Sequence, residues 1–302
     1  MFVLRLHPSR IGRTSEYAMT TPSTHNQPPV RRTADDWTID RVARFWNWYA
    51  AQPHLANEYF SRHWALSITS LVKLAGGPRG HVLDYGCGPG FLLDALVSEG
   101  VTCSGLDFSR ESVSIVSARL GQYDCFKGAV AATGLPTPFD EASFDTIVCV
   151  EVVEHLSAEL LDGTIQELFR LVKPGGIVIL TTPNDEDLSR NTAYCPFCNS
   201  EFHRMQHMRA FSTRSLVALL TNNGFCVEFC GALNMADFAT PKLRKLSAIH
   251  PSLLYRLLKL HALSAADRIL RTPLSRKLQL ISSKGGHLTA LARRPMDCPC
   301  AE

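Results

Sequence analysis

An α/β fold built on a doubly wound parallel sheet is what this chain predicts, and three observations predict it. Short apolar runs alternate with stretches of helical spacing, a glycine-rich turn joins the first strong run to a helix, and Lys173-Pro174-Gly175-Gly176 introduces a further run. Strands alternating with helices imply a sheet covered on both faces, with ligands outside the carboxyl ends of its strands.

The elements follow in order. Between Asp40 and Lys73, Val42, Phe45, Trp46, Tyr49, Tyr59, Phe60, Trp64, Leu66, Ile68, Leu71 and Val72 recur at helical spacing, which places helices before the sheet. Strands are predicted at 82–85, 102–106, 145–150, 177–182 and 225–230, and helices at 91–98, 110–120, 157–172 and 213–222. The third strand is weakly marked and is placed around Cys125 to Lys127, while Gly286 to Arg293 reads as the last strand.

The run Val82-Leu83-Asp84-Tyr85-Gly86-Cys87-Gly88-Pro89-Gly90-Phe91 is a buried strand turning through three glycines into a helix. Glycine serves where the backbone turns sharply or approaches a ligand. A pyrophosphate fingerprint, G-x-G-x-x-G, does not fit, because the third glycine comes one residue early and Phe91 fills its place. What remains is a ligand with a ribose and an adenine. Asp107 ends the second predicted strand, and a carboxylate there can accept both ribose hydroxyls in charge-assisted bonds worth roughly 1.5–3 kcal/mol each.

Asp84-x-Gly86-x-Gly88-x-Gly90 followed by Asp107 resembles the class I S-adenosylmethionine-dependent methyltransferases, over roughly residues 80–230 and the last strand. The resemblance implies a Rossmann-like seven-stranded sheet whose last strand is antiparallel, with S-adenosylmethionine as cofactor. It places Asp84, Gly86, Cys87, Gly88 and Gly90 at the methionine pocket and Asp107 at the ribose, with Phe108 and Val150 completing the set. Where the family often has an acid near the adenine, this chain has Gly128-Ala129-Val130, so Ala129 and Val130 are expected to meet the base through backbone and apolar contact.

Beyond the strand ending at Val150 stands Glu151-Val152-Val153-Glu154-His155. In a helical turn, Glu151, Glu154 and His155 would share one face. Such a group can bind a divalent cation or supply a base, and Glu151 and His155 are the candidates to orient or deprotonate an acceptor hydroxyl. His207-x-x-x-Phe211, after Thr182-Pro183-Asn184, is similar to the arrangement in the O-methyltransferases of ubiquinone synthesis and in small-RNA 3′-terminal 2′-O-methyltransferases. That similarity implies a metal set of Glu151, Glu154, His155 and His207, with magnesium or manganese chelated by a diol. A competing set is Cys195, Cys198, His203 and His207, whose C-x-x-C and H-x-x-x-H spacing suits a zinc knuckle at 195–207. Both sets claim His207, and free thiols in a loop are the plain alternative.

The 302 residues, 45% hydrophobic, can bury a full core yet hold no apolar run of membrane-spanning length. A net charge of +3 gives no global argument for nucleic acid, and none is expected as a stable partner. Five of the ten cysteines, Cys87, Cys103, Cys149, Cys226 and Cys230, fall in or beside apolar strands, which favours a reducing, cytoplasmic setting. Residues 1–35 read as a disordered leader or a presequence, 36–78 as N-terminal helices, 79–293 as the main domain and 294–302 as a tail. The stretch 237–282 reads as a helical insert in which Leu253, Leu254, Leu257 and Leu258 adjoin nine basic residues between Lys242 and Lys277. It suits either peripheral contact with an anionic membrane or a solvated face. A small-molecule, lipid-linked or glycan hydroxyl is therefore the expected methyl acceptor, with an RNA 3′ end and a non-catalytic, cofactor-binding scaffold as alternatives.

Overall fold

The computed structural model describes residues 28–77, 80–239, 278 and 285–296. The first strand, β1 (Val30–Arg31), is followed by helices α1 (Ile39–Ala50) and α2 (Phe60–Leu74). Then come β2 (Val82–Tyr85), α3 (Phe91–Ser98), β3 (Cys103–Asp107), α4 (Arg110–Leu120), β4 (Phe126–Ala131), β5 (Phe144–Val150) and α5 (Ala158–Leu171). The second half holds β6 (Val172–Pro183), a hairpin of β7 (Thr192–Cys195) and β8 (Ser200–His203), α6 (Thr213–Asn222), β9 (Cys226–Leu233) and β10 (His287–Arg293).

Seven strands form one sheet in the order β4-β3-β2-β5-β6-β10-β9. All its pairings are parallel except those of β10, which runs antiparallel to both β6 and β9. Successive side chains point to opposite faces, and both faces are apolar because helices cover both. Val82, Val148, Ile179 and Leu291 point into one core with Ile68, Leu71, Leu92, Leu96, Val116 and Leu120 of α2 to α4. Their neighbours Leu83, Ile147, Val178 and Ala290 point into the other, with Ile165 and Leu168 of α5 and Leu216 and Leu220 of α6. Ser109, Ser157 and Ser212 cap α4, α5 and α6 by accepting from a backbone N–H in the first turn, which fixes where each helix begins.

A second, three-stranded sheet runs β1-β8-β7 and was not foreseen. Val30 and Arg31 pair in parallel with Ser200 and Glu201, so this part of the expected leader of residues 1–35 is a strand. The third main-sheet strand lies further along than expected, at Phe126–Ala131. The basic insert expected at 237–282 falls almost wholly outside the described residues. Past β10, Arg294 of the expected tail caps Phe169, Arg170 and Val172 carbonyls. Among the described residues, no helix is long and apolar enough to cross a membrane.

Candidate active site

Parallel strands bring their carboxyl ends to one edge, and the chain leaves that edge at Gly86 after β2, Phe108 after β3, Ala132 after β4, Glu151 after β5 and Asn184 after β6. Because β10 is antiparallel, it starts where its neighbours end, and His287 pairs with Pro183 at the same edge. A cavity of about 590 Å³ opens there.

The glycine turn forms its floor. Gly86, Gly88 and Gly90 have φ of 81°, 50° and 82°. A Cβ on Gly86 would stand 2.3 Å from Val152 Cγ2, and one on Gly90 2.6 Å from Val116 Cγ2. The turn therefore needs glycine for conformation and for space. Asp107 is buried beside it, accepting from the Gly88 N–H at 2.7 Å through one carboxylate oxygen and from the Ser109 N–H at 2.7 Å through the other. Burial pushes its carboxyl up to about 6 against those bonds. Asp84 lies beneath the floor, where burial and the charge of Asp107 push it up to about 8. Gly86, Cys87, Gly88, Asp107, Phe108 and Val150 line the cavity, whereas Asp84 and Gly90 shape it from behind. Ala129 and Val130 do not reach it. They pair with Gly105 and Leu106 inside the sheet, and Ala132, Thr133, Gly134 and Leu135 line the wall instead, because β4 extends past its expected end.

An aromatic wall comes from the N-terminal helices. Trp46 of α1 lies against Tyr49, Tyr59 and His155, with ring centroids 5.3, 6.4 and 4.9 Å away, and Tyr59 also lies 6.0 Å from Phe91. Two polar ties hold this wall to the site. Trp46 Nε1 donates to Gln206 at 2.7 Å while Gln206 donates to the His155 carbonyl at 3.0 Å, and Ser109 Oγ donates to Asn47 at 2.8 Å.

The far rim is acidic and imidazole-rich. Glu151 has φ of 51°, and the helical turn starts only at Val153 as a tight 3-10 turn through His155. Glu151 therefore falls outside that turn and does not share a face with Glu154 and His155; its Oε2 accepts from His287 Nδ1 at 3.2 Å. Glu154, His155 and His207 place one ligand atom each within 4.8 Å of one another, as do Glu186, His203 and His207. Glu154 is buried, accepts from Thr182 Oγ1 at 3.0 Å, and is held well above the carboxylate range by burial and by Glu151. Burial and the neighbouring His207 push His155 down to about 3, so its ring is neutral and a poor proton acceptor. Glu186 is held down to about 2: burial opposes this, but hydrogen bonds from His203 and His207 outweigh it. Glu154 Oε1 and His155 Nδ1 are buried with no hydrogen-bond partner. Unpaired polar atoms are costly in a protein interior, and two of them in the Glu154–His155–His207 group suit a bound cation.

The four-residue zinc knuckle is not assembled. Cys195 pairs with Ser200 at the tip of the β7–β8 hairpin and His203 with Thr192 at its base, a separation of about 10 Å for three extended residues. Sequence spacing suggested a compact loop, but strand formation stretches it. Cys195 is half-buried and Cys198 exposed at the tip, while His203 and His207 turn into the rim. The sequence reading missed Glu186 and His287. The antiparallel last strand was a signal for His287, since its first residue must return to the ligand edge; Glu186 had none.

Comparison with known proteins agrees with this geometry. A family profile described as a methyltransferase domain matches residues 56–228. A probable S-adenosylmethionine-dependent methyltransferase of Mycolicibacterium smegmatis is 33% identical over 180 residues, 58% of this chain and 63% of that protein. A ubiquinone biosynthesis O-methyltransferase of Paracidovorax citrulli is 37% identical over 120 residues, 39% of this chain and 48% of that protein. The chain thus spans less than two thirds of either relative. Among solved structures, a putative methyltransferase in complex with the Haloferax volcanii Trm112 activator has a TM-score of 0.55 at 19% identity, over 83% of this chain and 97% of that one. A Haemonchus contortus phosphoethanolamine N-methyltransferase in complex with S-adenosyl-L-methionine has a TM-score of 0.50 at 14% identity, over 86% and 58%. These two likenesses establish the fold.

Proposed function

The chain belongs to the class I S-adenosylmethionine-dependent methyltransferases, and from that premise we propose that it methylates one hydroxyl of a vicinal diol on a small or lipid-linked acceptor, with a divalent cation at the rim. The carrying observation is the Glu154–His155–His207 group, with its unpaired buried atoms, on the cavity that the glycine turn floors.

S-adenosylmethionine, when bound, supplies an electrophilic methyl on a sulfonium. The residues present fit it: the three left-handed glycines leave bare main chain at the floor, and Asp107, oriented by two backbone N–H groups, offers its remaining lone pairs to the ribose hydroxyls. Glu154, His155 and His207 would hold the cation, which would polarise the diol, and two imidazoles with a carboxylate suit manganese or zinc better than magnesium. Trp46, Phe60, Trp64, Leu156 and Leu160 line the acceptor side and exclude water around an apolar or aromatic body. Glu151 orients His287, which accepts the hydroxyl proton as the ring of a carboxylate–imidazole pair. The ubiquinone-pathway relatives support an oxygen acceptor. The lipid tail of such an acceptor is consistent with peripheral membrane contact through the basic insert on the cytoplasmic side.

The test is conversion of S-adenosylmethionine to S-adenosylhomocysteine by the full chain with catechols, matched monophenols and sugar diols. Turnover is expected with diols, lost to chelator and restored by manganese, and Glu154→Gln is expected to lower it on the order of 10²- to 10³-fold. Equal, chelator-resistant turnover of monophenols would refute the reading.

A further inference from the structure

We propose that Glu186 is the positioning residue of the rim. Its two oxygens accept from the N–H groups of two imidazoles, which turns the remaining lone pair of His207 toward Glu154 and His155. The inference rests on the cation reading above, and it makes Glu186 and His203 a support for one ion rather than ligands of a second.

The proton positions follow from the donors. His207 Nδ1 lies in hydrogen-bond contact with Glu186 Oε2, and an ionised carboxylate only accepts, so Nδ1 carries the proton and Nε2 keeps its lone pair. His203 Nδ1 receives the backbone N–H of His207 at 3.2 Å, so that nitrogen is unprotonated. The proton of a neutral His203 is then on Nε2, which lies 3.4 Å from Glu186 Oε1. Each Glu186 oxygen thus faces one imidazole N–H, and neither His203 Nε2 nor His207 Nδ1 has a lone pair to give a cation.

The surroundings hold this relay still. The rings of His203 and His207 stack at 4.5 Å with planes 23° apart, and His207 meets His155 edge-on at 4.8 Å. Met208 N donates to the Glu154 carbonyl at 2.9 Å, which pins the His207 segment beside Glu154. The Glu186 loop is anchored through Asp185 N, which donates to Phe211 O at 2.8 Å. Carboxylates behind metal-bound imidazoles fix tautomer and ring direction, and their loss typically costs 10- to 100-fold in metal affinity. His203 sits one step further out and holds the carboxylate rather than the ligand.

The experiment compares wild type, Glu186→Gln, Glu186→Asp and His207→Ala as full chains, with two readouts: manganese titration followed by electron paramagnetic resonance, and the ¹⁵N tautomer signature of His207 without metal. The expected results are about one ion per wild-type chain and an Nδ1–H tautomer at His207. Glu186→Gln should bind roughly 10- to 100-fold more weakly with the tautomer population shifted, Glu186→Asp should recover part of both, and His207→Ala should lose specific binding. Two ions per chain, or a Glu186→Gln variant with unchanged affinity and tautomer, would overturn the proposal. If wild type and His207→Ala take up manganese equally, the cation reading fails by itself, and the tautomer comparison still decides whether Glu186 orients His207.

Discussion

The floor and the rim of one cavity are built in opposite ways. The floor is main chain: a turn of residues 86–90 with left-handed glycines, and one carboxylate clamped by N–H groups from Gly88 and Ser109. The rim is side chain: Glu151, Glu154, Glu186, His203, His207 and His287 arrive from both ends of the helical turn, the loop after β6, the base of the hairpin and the start of β10. A floor made of backbone tolerates almost no change in shape and binds what all members of the fold bind. A rim made of side chains from distant segments can be rewritten for a new acceptor without disturbing the sheet.

The hardest way to break the floor is to add one carbon. Gly86→Ala places a Cβ 2.3 Å from Val152 Cγ2 at a φ of 81°, and Val152 is β-branched and packed, half-buried, against the core, so little can give way. Left-handed strain and overpacking together predict a loss of about 2–4 kcal/mol of stability and of cofactor binding in calorimetry. The same change at Gly128, also left-handed with a φ of 105° but with nothing within 4 Å of its Cβ, should cost only the backbone term, about 1–2 kcal/mol. Equal effects at the two positions would show that the close approach to Val152 is not what the turn requires.

This contrast also explains what could be read in the sequence. The alternation of apolar runs placed the large sheet, because a strand buried on both faces reveals itself within five or six residues, as Phe144 to Val150 does. The glycine turn and Asp107 were legible for the same reason: a local backbone need leaves a local mark. The third strand was blurred because its burial is partial, with Lys127 and Ala131 exposed. The rim was half legible. Glu154, His155 and His207 stood out by resemblance, but the geometry of Glu151 depends on a left-handed residue no pattern announced, and Glu186 is an ordinary loop acid until the hairpin brings His203 to it. The knuckle reading failed because spacing counts residues and a β-hairpin converts residues into distance.

Asp107 tests whether the floor holds its ligand by charge as well as by shape. Asp107→Ala removes the acceptor for two backbone N–H groups and for the ribose, and one charge-assisted bond is worth roughly 1.5–3 kcal/mol, so S-adenosylmethionine affinity should fall about 10- to 150-fold by calorimetry. Asp107→Asn keeps the shape and should recover part of it. If both variants bind as wild type does, the floor works by shape alone.

A smaller effect probes the rim where it meets the sheet. Burial opposes protonation of His287, but the bond and charge of Glu151 outweigh it and raise the value above the usual imidazole range. A raised value in the folded state means that the stabilisation is complete below the ordinary histidine value of about 6.5 and is lost as pH rises through the folded value. With His287 about a third exposed, screening keeps the pair under about 1 kcal/mol. Urea unfolding of wild type and His287→Gln should therefore differ most near pH 6 and converge at alkaline pH. A gap that widens with pH would mean that the contact with Glu151 is not what holds His287.

The smallest expected effect marks where the rim ends. Cys195 and Cys198 occupy the tip of the hairpin whose base supplies His203, and Cys198 is exposed with its thiol held down by hydrogen bonds with Ser200 and Cys195. The hairpin's own register and the pairing of β8 with β1 fix the base, and neither needs the thiols. Cys195→Ser with Cys198→Ser should leave metal content and turnover within about two-fold of wild type, since surface changes away from packed features stay within about 0.5 kcal/mol. Loss of stoichiometric zinc in this double variant would instead extend the rim outward to the tip, and would make the hairpin a metal-held arm rather than a strand pair that delivers one histidine to the relay.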